Sequence, residues 1–193
     1  ACIIKICEMQ ETALSWWLVL ELAPGVNLKR HVDSKGRIAY PVVRMFLGQL
    51  FRAVEYMRIR CIVHRDMKPE NLMINMPTPE LTPTVQIKIV DFGLARTVPR
   101  DRDGRLKSVC GTPDWLSPEM IELRDKRQGG YGMGVDLWGV GMLGFFMLYG
   151  FNPFKRGDPN DTSSAILAGG LAGKLRIPNA STCGFDTPDN LKS

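Results

Sequence analysis

Between residues 41 and 60, Val43, Phe46, Leu47, Leu50, Val54 and Met57 recur at steps of three and four. That spacing is one face of an amphipathic helix. Ahead of it, residues 3–6 and 17–22 are runs of strand formers closed by Pro24-Gly25, which predicts two short strands and a turn. Beyond the helix, Ile62-Val63 and residues 72–74 are short apolar pieces around a polar loop, and Pro77, Pro79 and Pro83 mark a connection. Val85, Ile87 and Ile89 then alternate with Gln86 and Lys88, the period of a strand with one buried face. Residues 94–114 contain Gly and Pro but no period and predict a long loop. Long loops in compact domains usually carry function. Residues 137–151 hold no charge before Asn152-Pro153 breaks the run. Such a stretch falls short of the ~20 residues of a spanning helix and predicts a helix buried within a core. The remainder reads as helical, with interruptions at Gly169-Gly170 and Gly173.

Composition adds little to this picture except by exclusion. With 45% hydrophobic and 23% charged positions in 193 residues, the chain is neither disordered nor membrane-like, and it suffices for one domain. The net charge of +5 is dispersed. Its densest stretch (Arg96, Arg100, Arg102, Arg105, Lys107) is interrupted by Asp101 and Asp103, which favours a mildly basic surface over a nucleic-acid patch. Five scattered cysteines without a CxxC pair argue against a disulfide scaffold or zinc site and fit an intracellular protein, cytoplasmic or nuclear.

The chemistry is concentrated in His64-Arg65-Asp66-Met67-Lys68-Pro69-Glu70-Asn71. A tight loop brings its carboxylate, cation and amide together, a set suited to phosphoryl transfer. The carboxylate can take a hydroxyl proton, the lysine can face a moving phosphate, and the amide oxygen can meet a hard cation. On its own the stretch reads equally well as a structural polar loop. Asp91-Phe92-Gly93 follows directly after the alternating strand, where an aspartate next to a flexible glycine can reach a metal that bridges two phosphates.

The two motifs in this order resemble those of protein kinases, and the resemblance runs from about Ile3 to Phe185. Gly111-Thr112-Pro113-Asp114-Trp115-Leu116-Ser117-Pro118-Glu119 is similar to the end of an activation segment, with Ser117 in place of the usual Ala. Asp136-Leu137-Trp138 with Gly141 resembles the start of the family's buried central helix, and Gly150-Phe151-Asn152-Pro153-Phe154 the turn after it. The resemblance implies an α+β kinase-like fold in which residues 1–22 end the small lobe and residues 23–193 form the hinge and large lobe. It also implies missing terminal elements: a Gly-rich loop, a strand lysine, a helix glutamate and the last helices, including the arginine partner of Glu119. On that ground the segment alone is expected to be inactive.

By the same resemblance, Asp66 is the catalytic base, Lys68 contacts the transferred phosphate, and Asn71 and Asp91 hold Mg²⁺. ATP is bound by Glu21 and Ala23 at the hinge beside the gatekeeper Leu20, by Lys68, Glu70, Asn71 and Asp91, and by Met73 beneath the adenine. Arg65 ties the catalytic loop to the activation segment, and His64 packs near Phe92. Ser108 is the expected phosphorylation site, with Arg65 and Arg96 as its cations and Thr112 as a second regulatory hydroxyl. Lys68 and Gly111-Thr112 resemble serine/threonine kinases. The MKPENLM and CGTP stretches, with Tyr131-Gly132 ahead of Val135-Asp136, look most like the calcium/calmodulin-dependent group. Asn27 stands where many arginine-directed members carry Glu, which argues against that specificity. The implied partners are proteins with Ser or Thr acceptors and an upstream kinase, without nucleic acid or membrane. The alternative is a non-catalytic kinase-like binding or regulatory module.

Overall fold

The computed structural model describes residues 2–76, 85–98, 104–126 and 129–172, with 170–172 described as backbone only. Pro77, Pro79, Pro83, the 100–103 part of the basic stretch, Gly173 and Phe185 lie outside the described residues.

The expected amphipathic helix is α2, Tyr40–Ile59, which follows a shorter helix α1, Leu28–Lys35, and starts with Pro41 in its first turn, where a missing N–H costs nothing. Val43, Phe46, Leu50, Val54 and Met57 are all buried. They pack on α4, Gly134–Tyr149, through Val140, Leu143, Phe146 and Met147. Leu47 lies against Gly144, where a Cβ would sit 3.3 Å from its Cδ2, so glycine allows the two helices to close. Gly150, at φ 83°, ends α4 in the left-handed conformation.

The second face of this core is a three-stranded antiparallel sheet in the order β3 (Val26–Asn27), β5 (Leu72–Asn75), β6 (Gln86–Ile89). Leu72, Ile74, Ile87 and Ile89 point inward, as the period-two reading requires. β4 (Ile62–Val63) pairs with β7 (Arg96–Thr97), so the stretch read as pure loop contains a strand. It also contains a 3₁₀ turn at Pro113–Trp115. Two-residue strands offer no period to read.

The N-terminal strands are displaced from expectation. β1 is Ile6–Glu11, not residues 3–6, and pairs with β2, Trp16–Leu20. Residues 2–4 instead run along the edge of β6: Ile4 N–H donates to Ile89 O at 2.9 Å and Ile89 N–H to Cys2 O at 2.7 Å. Helix α1, Leu28–Lys35, is also unanticipated, because only Leu28 and Val32 are buried along it. Its start is fixed by Asn27, whose side chain accepts from Arg30 N–H at 2.8 Å.

A second core joins α3 (Pro118–Lys126), the other side of α4 and α5 (Pro159–Ala172) through Leu116, Ile121, Tyr131, Met142, Phe154 and Ile166. α5 continues through Gly169 and Gly170 without the expected interruption. Gly169 is there for proximity: a Cβ would come within 2.6 Å of the Phe154 ring. The catalytic-type loop lies where the two cores meet, with Val63 in one and Met67 in the other. Among the described residues no helix is long and apolar enough to cross a membrane.

Candidate active site

Residues 64–66 are polar or charged, yet His64, Arg65 and Asp66 are at most 7% exposed. Burial of this kind requires partners for every group. Asp136, in the first turn of α4, supplies two of them: its carboxylate accepts His64 N–H at 2.8 Å and Arg65 N–H at 2.9 Å. Burial pushes the Asp136 carboxyl up, while those two N–H donors pull it back. Arg65 takes a left-handed φ of 72°, which turns the loop sharply over α4. Gly139 permits the contact, since a Cβ there would meet Met67 Cβ at 2.5 Å. His64 accepts Asp66 N–H at Nδ1 (3.3 Å), so Nε2 carries the proton and donates to Val90 O at 3.1 Å. Its ring stands edge-on to Phe92, 4.8 Å between centroids, as the sequence reading expects.

Asp66 is the hub. Oδ1 accepts both Thr112 N–H (3.0 Å) and Thr112 Oγ1–H (2.9 Å). Oδ2 pairs with Lys68 Nζ at 2.9 Å and accepts from Asn71 Nδ2 at 3.0 Å. Lys68 also donates to Thr112 Oγ1 at 2.8 Å, which closes a ring of polar contacts. Burial alone would raise the Asp66 carboxyl; the bonds from Lys68 and Thr112 outweigh it and hold the group below the usual aspartate value. Asp66 is therefore an ionised carboxylate at neutral pH. Thr112, grouped with the regulatory residues from the sequence, lies within this ring. Gly111 makes that approach possible: it adopts φ 105°, and a Cβ would fall 2.7 Å from Arg65 O.

Asn71 connects the ring to the second motif. Its Nδ2 is committed to Asp66 O (2.9 Å) and Oδ2, which leaves Oδ1 as the outward acceptor. Its carbonyl accepts Val90 N–H at 2.9 Å, drawing Asp91 alongside. Asp91 has φ 61° and an exposed carboxylate whose Oδ1 accepts, among the described residues, only Gly93 N–H, at 3.2 Å. An amide oxygen and a carboxylate with free lone pairs form a hard donor set that fits Mg²⁺, an ion usually held by few protein oxygens together with phosphates.

On the regulatory side, Arg65 Nε donates to Leu94 O at 2.7 Å, and Nη1 reaches Ser108 Oγ at 2.9 Å. Arg96 is exposed on β7, and the side-chain contact to the Ser108 hydroxyl comes from Arg65. On the nucleotide side, Met73 is half-buried opposite Asn27 and Lys88, and Glu70 is exposed. The Glu21 carboxylate is engaged by Lys88 Nζ and Lys5 N–H, both at 2.7 Å, and these bonds lower its pKa. The Glu21 main-chain N–H donates to Lys5 O at 3.0 Å, and Ala23 is half-buried. In the sequence Asp136 and Tyr131 are legible only as motif markers. Their roles depend on contacts more than sixty residues away in sequence, at His64 and Arg65.

Residues 1–189 match the family described as protein kinase domain. The chain is 40% identical over 158 residues to calcium/calmodulin-dependent protein kinase type IV of Mus musculus, covering 81% of this chain and 31% of that protein. It is 33% identical over 166 residues to calcium/calmodulin-dependent protein kinase type I of Schizosaccharomyces pombe, covering 86% and 47%. To serine/threonine-protein kinase DCLK2 of Mus musculus it is 36% identical over 176 residues, covering 91% and 21%. The chain spans less than half the length of each of these relatives.

Proposed function

The chain belongs to the protein kinase domain family, and from that premise we propose that the protein carrying it transfers the γ-phosphoryl group of ATP to Ser and Thr hydroxyls of other proteins. The observation that carries this reading is the Asp66 carboxylate, ionised and oriented by Thr112, Lys68 and Asn71. In this role Asp66 orients the acceptor hydroxyl and takes its proton while the oxygen bonds to phosphorus and ADP leaves. Lys68 offsets charge on the moving phosphoryl group, and Thr112 keeps lysine and aspartate in register. Asn71 and Asp91 would hold Mg²⁺, which neutralises phosphate charge when bound.

Residues 20–23 and Met73 form the adenine side of the cleft, with residues 1–22 assigned to the small lobe and the rest to the hinge and large lobe. Ser108 is the phosphorylation site: a phosphate there adds about −1.5 to −2 charges next to Arg65, which already touches the hydroxyl. An upstream kinase is then a partner. Cys2, Cys7 and Cys110 form no disulfide among the described residues, in keeping with a reducing intracellular compartment.

The test is incubation of the full-length protein with γ-labelled ATP, Mg²⁺ and mixed Ser/Thr and Tyr peptides. Label on Ser/Thr peptides, lost on chelation, is the expected result. Nucleotide binding without label above that of an Asp66→Asn control would point instead to a kinase-like binding module.

A further inference from the structure

Tyr131 lies between α3 and α4, five residues before Asp136, and is 1% exposed. Its main chain forms an antiparallel bridge with Leu106, Leu106 N–H to Tyr131 O at 2.9 Å and the reverse at 3.0 Å. The bridge draws residues 104–110 onto the second core. The tyrosine hydroxyl donates to Ser108 O at 2.6 Å and accepts from Arg65 Nη1 at 3.0 Å. That same nitrogen reaches Ser108 Oγ at 2.9 Å. One short segment therefore grips Arg65 at both ends, Asp136 at its main-chain N–H and Tyr131 at its guanidinium.

A tyrosine buried only for its ring has no need of two polar partners, and phenylalanine would fill the same volume. Burial pushes the Tyr131 phenol above its ordinary value, more than the bonds from Arg65 and Ser108 lower it. The hydroxyl thus remains a donor at neutral pH and can hold the Ser108 carbonyl. Arg65 directly precedes Asp66, so the residue whose guanidinium meets Ser108 adjoins the catalytic-type ring along the chain.

We infer that Tyr131 is a positioning residue that aims the Arg65 guanidinium at the Ser108 side chain, so that a phosphate on Ser108 is read out at Asp66 through Arg65. The inference deepens the reading of Ser108 given above and rests on it. Without the hydroxyl, Arg65 keeps Leu94 O and Ser108 but loses one of the contacts that orient its Nη1, and the 104–110 segment loses a donor at its centre.

The experiment compares wild type and Tyr131→Phe in the full-length protein, each with serine or with genetically encoded phosphoserine at position 108. Two quantities are read: the ratio of kcat/KM with and without the phosphate, and hydrogen exchange across residues 104–110. Tyr131→Phe is expected to lower the phosphate-dependent gain roughly tenfold, the size of a lost charge-assisted hydrogen bond. Exchange in 104–110 should accelerate by a similar factor while α2 and α4 keep their protection. A gain within about twofold of wild type, unchanged exchange in 104–110, or acceleration spread over the whole molecule would each overturn the proposal. If wild type transfers no phosphate, or gains nothing from phosphoserine, the kinase or Ser108 reading has failed. The exchange experiment then still decides what Tyr131 holds.

Discussion

Asp66 and Thr112 are joined by two hydrogen bonds to a single carboxylate oxygen, from the Thr112 N–H at 3.0 Å and its hydroxyl at 2.9 Å, across 46 residues of sequence. The same hydroxyl accepts from Lys68 at 2.8 Å. The activation-type segment is thereby fastened to the catalytic-type loop at the group proposed to move the proton. Changes in the segment therefore act on Asp66 without touching it.

Gly111 is the condition for that fastening. Gly111→Ala would place a Cβ 2.7 Å from Arg65 O and force alanine into φ 105°. The cost is of order 1–3 kcal/mol, and the Thr112 N–H is pulled from Asp66. Denaturant unfolding should show that loss together with reduced phosphotransfer, whereas Gly141→Ala, inside α4 with nothing within 4 Å of the new Cβ, should leave phosphotransfer unchanged and raise stability by up to about 1 kcal/mol.

Acid should weaken the ring in a defined direction. Burial raises the Asp66 carboxyl, but Lys68 and Thr112 together lower it below its ordinary value. A carboxyl depressed in the folded state contributes stability above its unfolded pKa, about 3.9. That contribution is lost as pH falls through the lower folded value. Between about pH 5 and pH 2 the Tm of wild type should therefore fall more steeply than that of Asp66→Asn, which has no proton to take up. Parallel curves would show that Asp66 is not coupled to its neighbours as described.

Much of this was legible because its signals are local. The helices α2 and α4 follow from periodicity and from an uncharged run, and residues 64–71 and 91–93 carry their chemistry in contiguous stretches. Helix α1 was hidden by its polar composition, and β1 by Glu8, Gln10 and Glu11, poor strand formers that pair only because β2 is alongside. Asp136 read as a helix-start residue, although its carboxylate anchors two main-chain N–H groups of a distant loop. No pattern within one segment encodes that relationship.

Asp136→Asn tests this anchor. One of the two N–H donors would face an amide NH₂ in place of an oxygen, which leaves a buried donor unsatisfied at a cost of roughly 1–3 kcal/mol. Thermal unfolding should show the loss, and hydrogen exchange should place it first at His64 and Arg65.

Ser117 is buried at 1% exposure, and its Oγ has no hydrogen-bond partner among the described residues. Ser117→Ala removes a desolvated hydroxyl with little loss of volume. It should stabilise by about 1 kcal/mol, a rise in Tm of roughly 2–4 °C. A fall of that size would mean that the hydroxyl has a partner in the full-length protein.

The most direct measurement is phosphotransfer by the full-length protein with Asp66→Asn, alongside its affinity for Mg·ATP. Asparagine keeps the shape, and its one oxygen can still accept from Thr112, but its NH₂ then faces Lys68 and Asn71, and it cannot take a proton. The predicted result is a fall in kcat of roughly 10²–10⁴, the range of a lost general base, with nucleotide affinity within about threefold of wild type. Asp91→Ala, by contrast, should lose Mg²⁺-dependent affinity as well. An Asp66→Asn enzyme within about twofold of wild-type kcat would contradict the assignment of Asp66 as the group that accepts the proton.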